Sequence, residues 1–259
     1  MIKLHMISLE DENTIEVNPT IFPDGCSQVW KLPDFVFYDQ YQVYTIIWDF
    51  EHEAELFHVL QLSDLIGKTR YKNCNLFMPY LPYGRQDKKA GNDRTFALNT
   101  LLDILNKHST LGVISTLDAH NSLVLGNVIK SIQPTAQIKY AIDAVKPDLI
   151  VFPDAGAAKR GYNIQGLESI VLDKKRNQLT GEIEGLEYTG NVRVGDKSLL
   201  IVDDITDGGK TFIEAAKLLK DLDATGISLY TSHMLATKGT KVLKDAGISR
   251  LFDKNGERE

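Results

Sequence analysis

The chain has only two cysteines in 259 residues, Cys26 and Cys74, too few for a disulfide framework and not in a metal-like pair spacing. A reducing, cytoplasmic setting is therefore expected. Positive charge is not in excess either: the formal net charge is −6, which gives no electrostatic case for nucleic acid or an anionic membrane as partner. No apolar run approaches the ~18 residues that a membrane span needs. The opening Met-Ile-Lys-Leu-His-Met-Ile-Ser-Leu-Glu-Asp-Glu turns acidic too soon for a signal peptide. Any anion site must then be local. The composition that remains, 43% apolar and 25% charged, is globular and suffices for the core of one large or two ordinary domains.

The most informative stretch runs from Ser198 to Leu222. Leu199 to Val202 is a continuous apolar run, as in a parallel strand buried on both faces, and apolar residues recur at helical spacing from Thr211. Asp203 and Asp204 are read at the end of that strand and Asp207 in the turn, while Gly208 and Gly209 let the backbone curl closely round a ligand. The N–H groups of Gly209, Lys210 and Thr211 then open a helix and can hold an anion. A nucleotide P-loop fails here, because Asp204 stands where that loop needs glycine. Acids beside the loop suit a sugar phosphate instead, accepting hydrogen bonds from ribose hydroxyls while loop N–H groups take the phosphate. An ordinary α/β turn with solvated acids accounts for the same spacing.

Residues 203–211, Asp-Asp-Ile-Thr-Asp-Gly-Gly-Lys-Thr, resemble the ribose-5-phosphate loop shared by phosphoribosyltransferases and ribose-phosphate pyrophosphokinases. Four earlier stretches decide between the two, since they resemble motifs of the pyrophosphokinases alone. Pro79 to Lys88 leads out of an apolar run with proline, glycine and cations, and its resemblance implies ATP contacts by Arg85, Gln86 and Lys88. Asp118-Ala119-His120 implies that His120 helps to hold Mg²⁺ and the ATP phosphates. Pro153-Asp154-Ala155-Gly156-Ala157-Ala158-Lys159-Arg160 can wrap a diphosphate through backbone N–H groups with a cation balancing it, and it resembles a diphosphate loop with Asp154 as a metal-side carboxylate, although a plain turn into a helix fits its composition as well. Asp173-Lys174-Lys175-Arg176 resembles the start of a mobile catalytic loop, in which Lys174 and Arg176 close over the transferring phosphates. Nearer the start, Phe22-Pro23-Asp24-Gly25 has the chemistry of a connecting turn. It also resembles a loop that covers the adenine of ATP in a neighbouring subunit. That likeness implies ATP contacts by Phe22 and Asp24 and at least a dimer, with Cys26 standing where the family has Glu.

The fold implied is α/β, with two similar doubly wound parallel-sheet domains of the type I phosphoribosyltransferase kind and the site between them. Residues 1–139 are assigned to ATP and 140–259 to the ribose phosphate. Tyr188 to Val194 reads as a hairpin arm before the ribose loop. The family usually continues past the position of Glu259 with a strand and a helix, so that element is expected to be absent or replaced. The implied reaction moves the β,γ-diphosphate of ATP to the anomeric hydroxyl of ribose 5-phosphate, with Mg²⁺, and releases AMP. Gly208-Gly209-Lys210-Thr211 has lost a hydroxyl donor and gained a lysine relative to the usual loop. In this the chain resembles the short phage-borne ADP-ribose pyrophosphate synthetases, for which ADP-ribose is the acceptor and NAD synthesis the purpose. A non-catalytic regulatory homologue and a phosphoribosyltransferase remain as other readings.

Overall fold

The computed structural model describes residues 1–68, 73–88, 91, 93, 95–108, 110–176 and 183–259; of Asn73, Lys175, Arg176, Ile183 and Glu184 it describes the backbone alone. The chain divides into two compact units, Met1–Ile132 and Gln133–Glu259. The division read from the sequence at 139/140 runs through a helix of the second unit, Thr135–Val145.

In the first unit, strands β1 (Ile2–Ile7), β2 (Glu12–Glu16), β5 (Val43–Trp48), β6 (Asn73–Met78), β7 (Leu111–Leu117) and β8 (Lys130–Ile132) make one sheet in the order β2-β1-β5-β6-β7-β8. A short hairpin of β3 (Thr20–Ile21) and β4 (Ser27–Gln28) lies outside it. β5 to β8 run parallel, β1 runs antiparallel to them, and β2 is antiparallel to β1 in turn. Helices α1 (Glu55–Gly67) and α2 (Ala97–Lys107) make the crossovers between parallel neighbours. Along β5 full burial alternates with half burial, so Tyr44, Ile46 and Trp48 face the core together with Leu62, Leu76, Met78 and Leu101.

The second unit is apolar on both faces of its sheet. Strands β9 (Leu149–Phe152), β10 (Glu168–Val171), β13 (Ser198–Thr206), β14 (Gly226–Met234), β15 (Arg250–Asp253) and β16 (Gly256–Arg258) lie in the order β10-β9-β13-β14-β15-β16, with only β16 antiparallel. Leu149, Val151, Leu199 and Ile201 pack into one cluster with α5 (Lys210–Asp221) and Leu243 of α6 (Lys241–Asp245). Ile150, Phe152, Leu200 and Val202 pack into the other, with α3 (Thr135–Val145) and Ala157 of α4 (Ala155–Lys159). Burial on both faces is why these strands read as unbroken apolar runs. The chain leaves β9 for β10 on one side and returns to β13 on the other. That places a topological switch point between β9 and β13, and ligands of open α/β sheets bind at the carboxyl ends of such strands.

A separate antiparallel pair, β11 (Asp173–Arg176) with β12 (Ile183–Glu187), projects from the end of β10. This is the hairpin arm, and it corrects the expectation of an arm over 188–194. There the Tyr188 hydroxyl accepts the N–H of Val192 at 3.1 Å, which folds the segment back on itself. No helix among the described residues is long and apolar enough to cross a membrane.

Candidate active site

In the first unit the two loops expected to face ATP leave neighbouring parallel strands at their carboxyl ends. The loop after β6 is shaped by Tyr83, whose φ is 61° and whose hydroxyl donates to Glu53 at 2.8 Å. The loop after β7 turns at Asp118, φ 45° and buried, whose N–H donates to the carbonyl of Ile132 at 2.8 Å. Asn121 then donates to Asp87 at 2.7 Å, which ties the two loops together. Arg85, Gln86, Lys88 and His120 are all exposed on this pair of loops. The turn holding Phe22 and Asp24 is the β3-β4 hairpin. Asp24 accepts the N–H of Cys26 at 2.9 Å, and Ser27 is hydrogen-bonded to His58 of α1 at 2.7 Å.

In the second unit β13 does not stop at Val202. The strand runs on to Thr206, so Asp203 and Asp204 lie within it and the turn begins at Asp207; this corrects the strand end read from the sequence. The ladder continues because β14 pairs with it as far as Met234 opposite Thr206. Gly209 caps α5 with φ 76°, and its own carbonyl takes the N–H groups of Phe212 and Ile213. The N–H groups of Gly209, Lys210 and Thr211 have no acceptor among the described residues and head a twelve-residue helix. Thr237, on the turn after β14, donates to Asp207 at 2.8 Å and so fastens that turn beside the loop. The next residue, Lys238, brings its side-chain Cε within 3.7 Å of where a Cβ on Gly208 would stand. Lys210 is 87% exposed and lies 3.7 Å from Glu214.

Asp154 caps α4 by accepting the N–H of Ala157 at 3.0 Å, and its other oxygen lies 3.1 Å from Lys174 of β11. Burial pushes the Asp154 carboxyl up, but the Ala157 N–H and Lys174 outweigh it and hold it below the ordinary range. The loop after β9 and the hairpin that begins with Lys174 are thus joined by one ion pair. The Arg176 side chain lies outside the described residues.

One of the two cations that the sequence sets beside a diphosphate pairs instead with the two acids of β13. Arg160, just past α4, reaches Asp203 at 2.6 Å and Asp204 at 2.8 Å. Its only trace in the sequence is its place as the second of two cations after the small-residue run. Burial pushes the Asp203 carboxyl up, to about 8, and the adjacent Asp204 adds to the rise; Arg160 pulls against both but is shared between two acids. One buried positive charge against two negative ones favours a proton on the pair. Between the ordinary carboxyl range and about 8 the folded chain therefore binds more protons than the unfolded one. This contribution is complete at low pH and is lost as pH rises through that window. Thermal midpoints should accordingly fall over it in the native chain, and the fall should be shallower in Asp203→Asn; parallel curves would contradict the assignment.

No family model matches the chain. It is 27% identical over 250 residues to the ribose-phosphate pyrophosphokinase of Saccharolobus solfataricus, covering 93% of this chain and 84% of that one. It is 30% identical over 236 residues to the enzyme of the same name from Pyrococcus abyssi, covering 88% of this chain and 79% of that one. The crystal structure of phosphoribosylpyrophosphate synthetase from Mycobacterium smegmatis has the same fold, with a TM-score of 0.71 at 19% identity over 91% of this chain and 78% of that one. The ordered motifs, the two α/β units and this extent of identity agree: the chain belongs to the ribose-phosphate pyrophosphokinase family.

Proposed function

We propose that this chain transfers the β,γ-diphosphate of ATP to the anomeric hydroxyl of a ribose 5-phosphate unit and releases AMP. The observation that carries the reading is the run along β13 and α5. A carboxylate pair suited to sugar hydroxyls is followed, within one turn, by three N–H groups at a helix N-terminus suited to the 5-phosphate. In this reading Asp203, Asp204 and Asp207 hold the sugar side, and Gly208, Gly209, Lys210 and Thr211 hold the phosphate. Phe22, Asp24, Arg85, Gln86, Lys88 and His120 serve ATP. The anomeric hydroxyl attacks the β-phosphorus and gives up its proton to solvent as the bond to the AMP oxygen breaks, so the two distal phosphates move as one piece. Such a transfer asks for positioning and charge neutralisation, not for a covalent intermediate on the protein. Lys174 and Arg176 meet the charge that grows on the transferring phosphates.

Mg²⁺ fits the residues present as an ion held mostly by phosphate and water. Among the described residues no three of His, Cys, Asp or Glu gather into a metal-binding group, and Mg²⁺ often takes only one or two protein carboxylates. Asp154 is such a carboxylate, kept ionised by its neighbours, and His120 would act on the phosphate side. Bound there, Mg²⁺ disperses the negative charge of the phosphate oxygens.

A second reading concerns the acceptor. Lys210 projects outward from the phosphate loop and Lys238 borders Gly208. Positive charge at the outer end of the loop suits a phosphate that carries a further group, as in ADP-ribose. Incubating the chain with ATP and Mg²⁺ and either ribose 5-phosphate or ADP-ribose, with products resolved by mass, tests both. AMP together with a diphosphorylated acceptor is the expected result. No AMP with either acceptor would contradict the function, and diphosphorylation of ribose 5-phosphate alone would remove ADP-ribose.

A further inference from the structure

Successive side chains of a strand point to opposite faces of the sheet, so neighbours such as Asp203 and Asp204 do not ordinarily share a partner on one face. A single group reaches both from the strand's edge. β9 pairs with β13 only as far as Val151 opposite Ile201, so the β13 edge at Asp203 and Asp204 has no partner strand on the β9 side. Arg160 fills that edge. Its Nη1 donates to Asp203 Oδ1 at 2.6 Å, and its Nη2 stands 2.8 Å from Asp204 Oδ1. Asp203 Oδ1 also accepts the N–H of Asp204 at 2.9 Å, and the Asp203 carboxyl lies within hydrogen-bonding reach of that of Asp204, whereas Asp203 Oδ2 has no N–H donor among the described residues. The side chains of Asp203 and Asp204 are 15% and 3% exposed, so Asp203 is the acid with a surface to offer.

We propose that Arg160 is a positioning residue for the sugar acceptor: one planar guanidinium, tied to Asp203 Oδ1 and Asp204 Oδ1, fixes the Asp203 carboxyl group with Oδ2 presented to a hydroxyl of the sugar diol, as acceptor when ionised and as donor when protonated. The role of the diol rests on the function proposed above. Asp204 acts through Arg160, as the buried counter-charge that keeps the fork in place. A rigid fork can hold two carboxylates at fixed angles, and a lysine in its place is a point charge on a flexible stem. Among the described residues, the charged groups that act on Asp203 are Arg160, from the segment after α4, and Asp204. At the head of α4 Asp154 is engaged by Lys174, and β14 sets Thr231 opposite Asp203 and His233 opposite Ile205.

Steady-state kinetics with Arg160→Lys test this. The KM for the acceptor should rise about tenfold or more while the KM for ATP stays within about twofold. Equal rises in both would overturn the inference. Arg160→Gln removes the charge altogether and should raise the acceptor KM further. If it fails to fold, the double variant Arg160→Gln/Asp204→Asn, which also removes the stranded negative charge, should fold and keep the raised acceptor KM; a native acceptor KM in that double variant would equally overturn it. Carbonyl-detected NMR titration of the aspartates, without any acceptor, separates this claim from the function on which it rests. Loss of the guanidinium should raise the midpoint of the pair in Arg160→Gln. An unchanged midpoint defeats the positioning role even in an active enzyme. A raised midpoint in a chain whose native form turns over neither acceptor defeats the proposed function and leaves only the hold of Arg160 on the pair.

Discussion

Lys174→Ala should lower kcat by about 10²–10³-fold and leave the KM for ATP within about threefold of native, because a cation that meets charge developing on the transferring phosphates is worth most in the transition state. Lys174 lies on the first strand of the β11-β12 hairpin, 42% exposed, with its ammonium 3.1 Å from Asp154. An exposed ion pair of this kind contributes little to stability, so the thermal midpoint should move by no more than a degree or two. Lys174→Arg should recover part of the loss. Equal losses in kcat and in ATP affinity would mean that the lysine only binds ATP, and a lowered midpoint with unchanged kcat would make it structural.

Gly209→Val should destabilise the second unit by roughly 2–4 kcal/mol, as the sum of forcing a left-handed backbone on a branched residue and crowding a packed neighbour. The backbone at Gly209 has φ 76°, and an added Cβ would come within 3.0 Å of the Cδ2 of Leu243, which is itself buried. Since this glycine also caps α5, the distortion passes into the N–H groups expected to hold the 5-phosphate, and the acceptor KM should rise with it. Gly208→Ala is the control. Its Cβ would meet only the Cε of Lys238, at 3.7 Å, so its stability should be close to native. Chemical denaturation of the two variants tests the contrast, and similar losses in both would contradict it.

The parts of the chain that were legible in the sequence are those where burial is two-sided or periodic. Leu199 to Val202 reads as a strand buried on both faces and is so buried within β13, because there the side chains alone decide the state. Helix boundaries shift by a residue, as for α5, which begins at Lys210, one residue before the helical spacing read from Thr211. The continuation of β13 through two acids could not be read locally. Its strand pairing comes from β14, and its charge balance from Arg160, 43 residues earlier. The hairpin arm was displaced for a related reason. The Tyr188 hydroxyl satisfies the Val192 backbone, and the pairing falls to 173–176 and 183–187, of which the first reads as a run of cations. The sheet edges β2 and β16 are set by antiparallel neighbours, which periodicity within one segment does not reveal.

Following the β-phosphorus of ATP decides whether two phosphates travel together. With ATP labelled at that position and an acceptor that the chain uses, the label should leave with the acceptor while AMP accumulates one for one. Label retained in ADP, with only the terminal phosphate moved, would contradict diphosphate transfer.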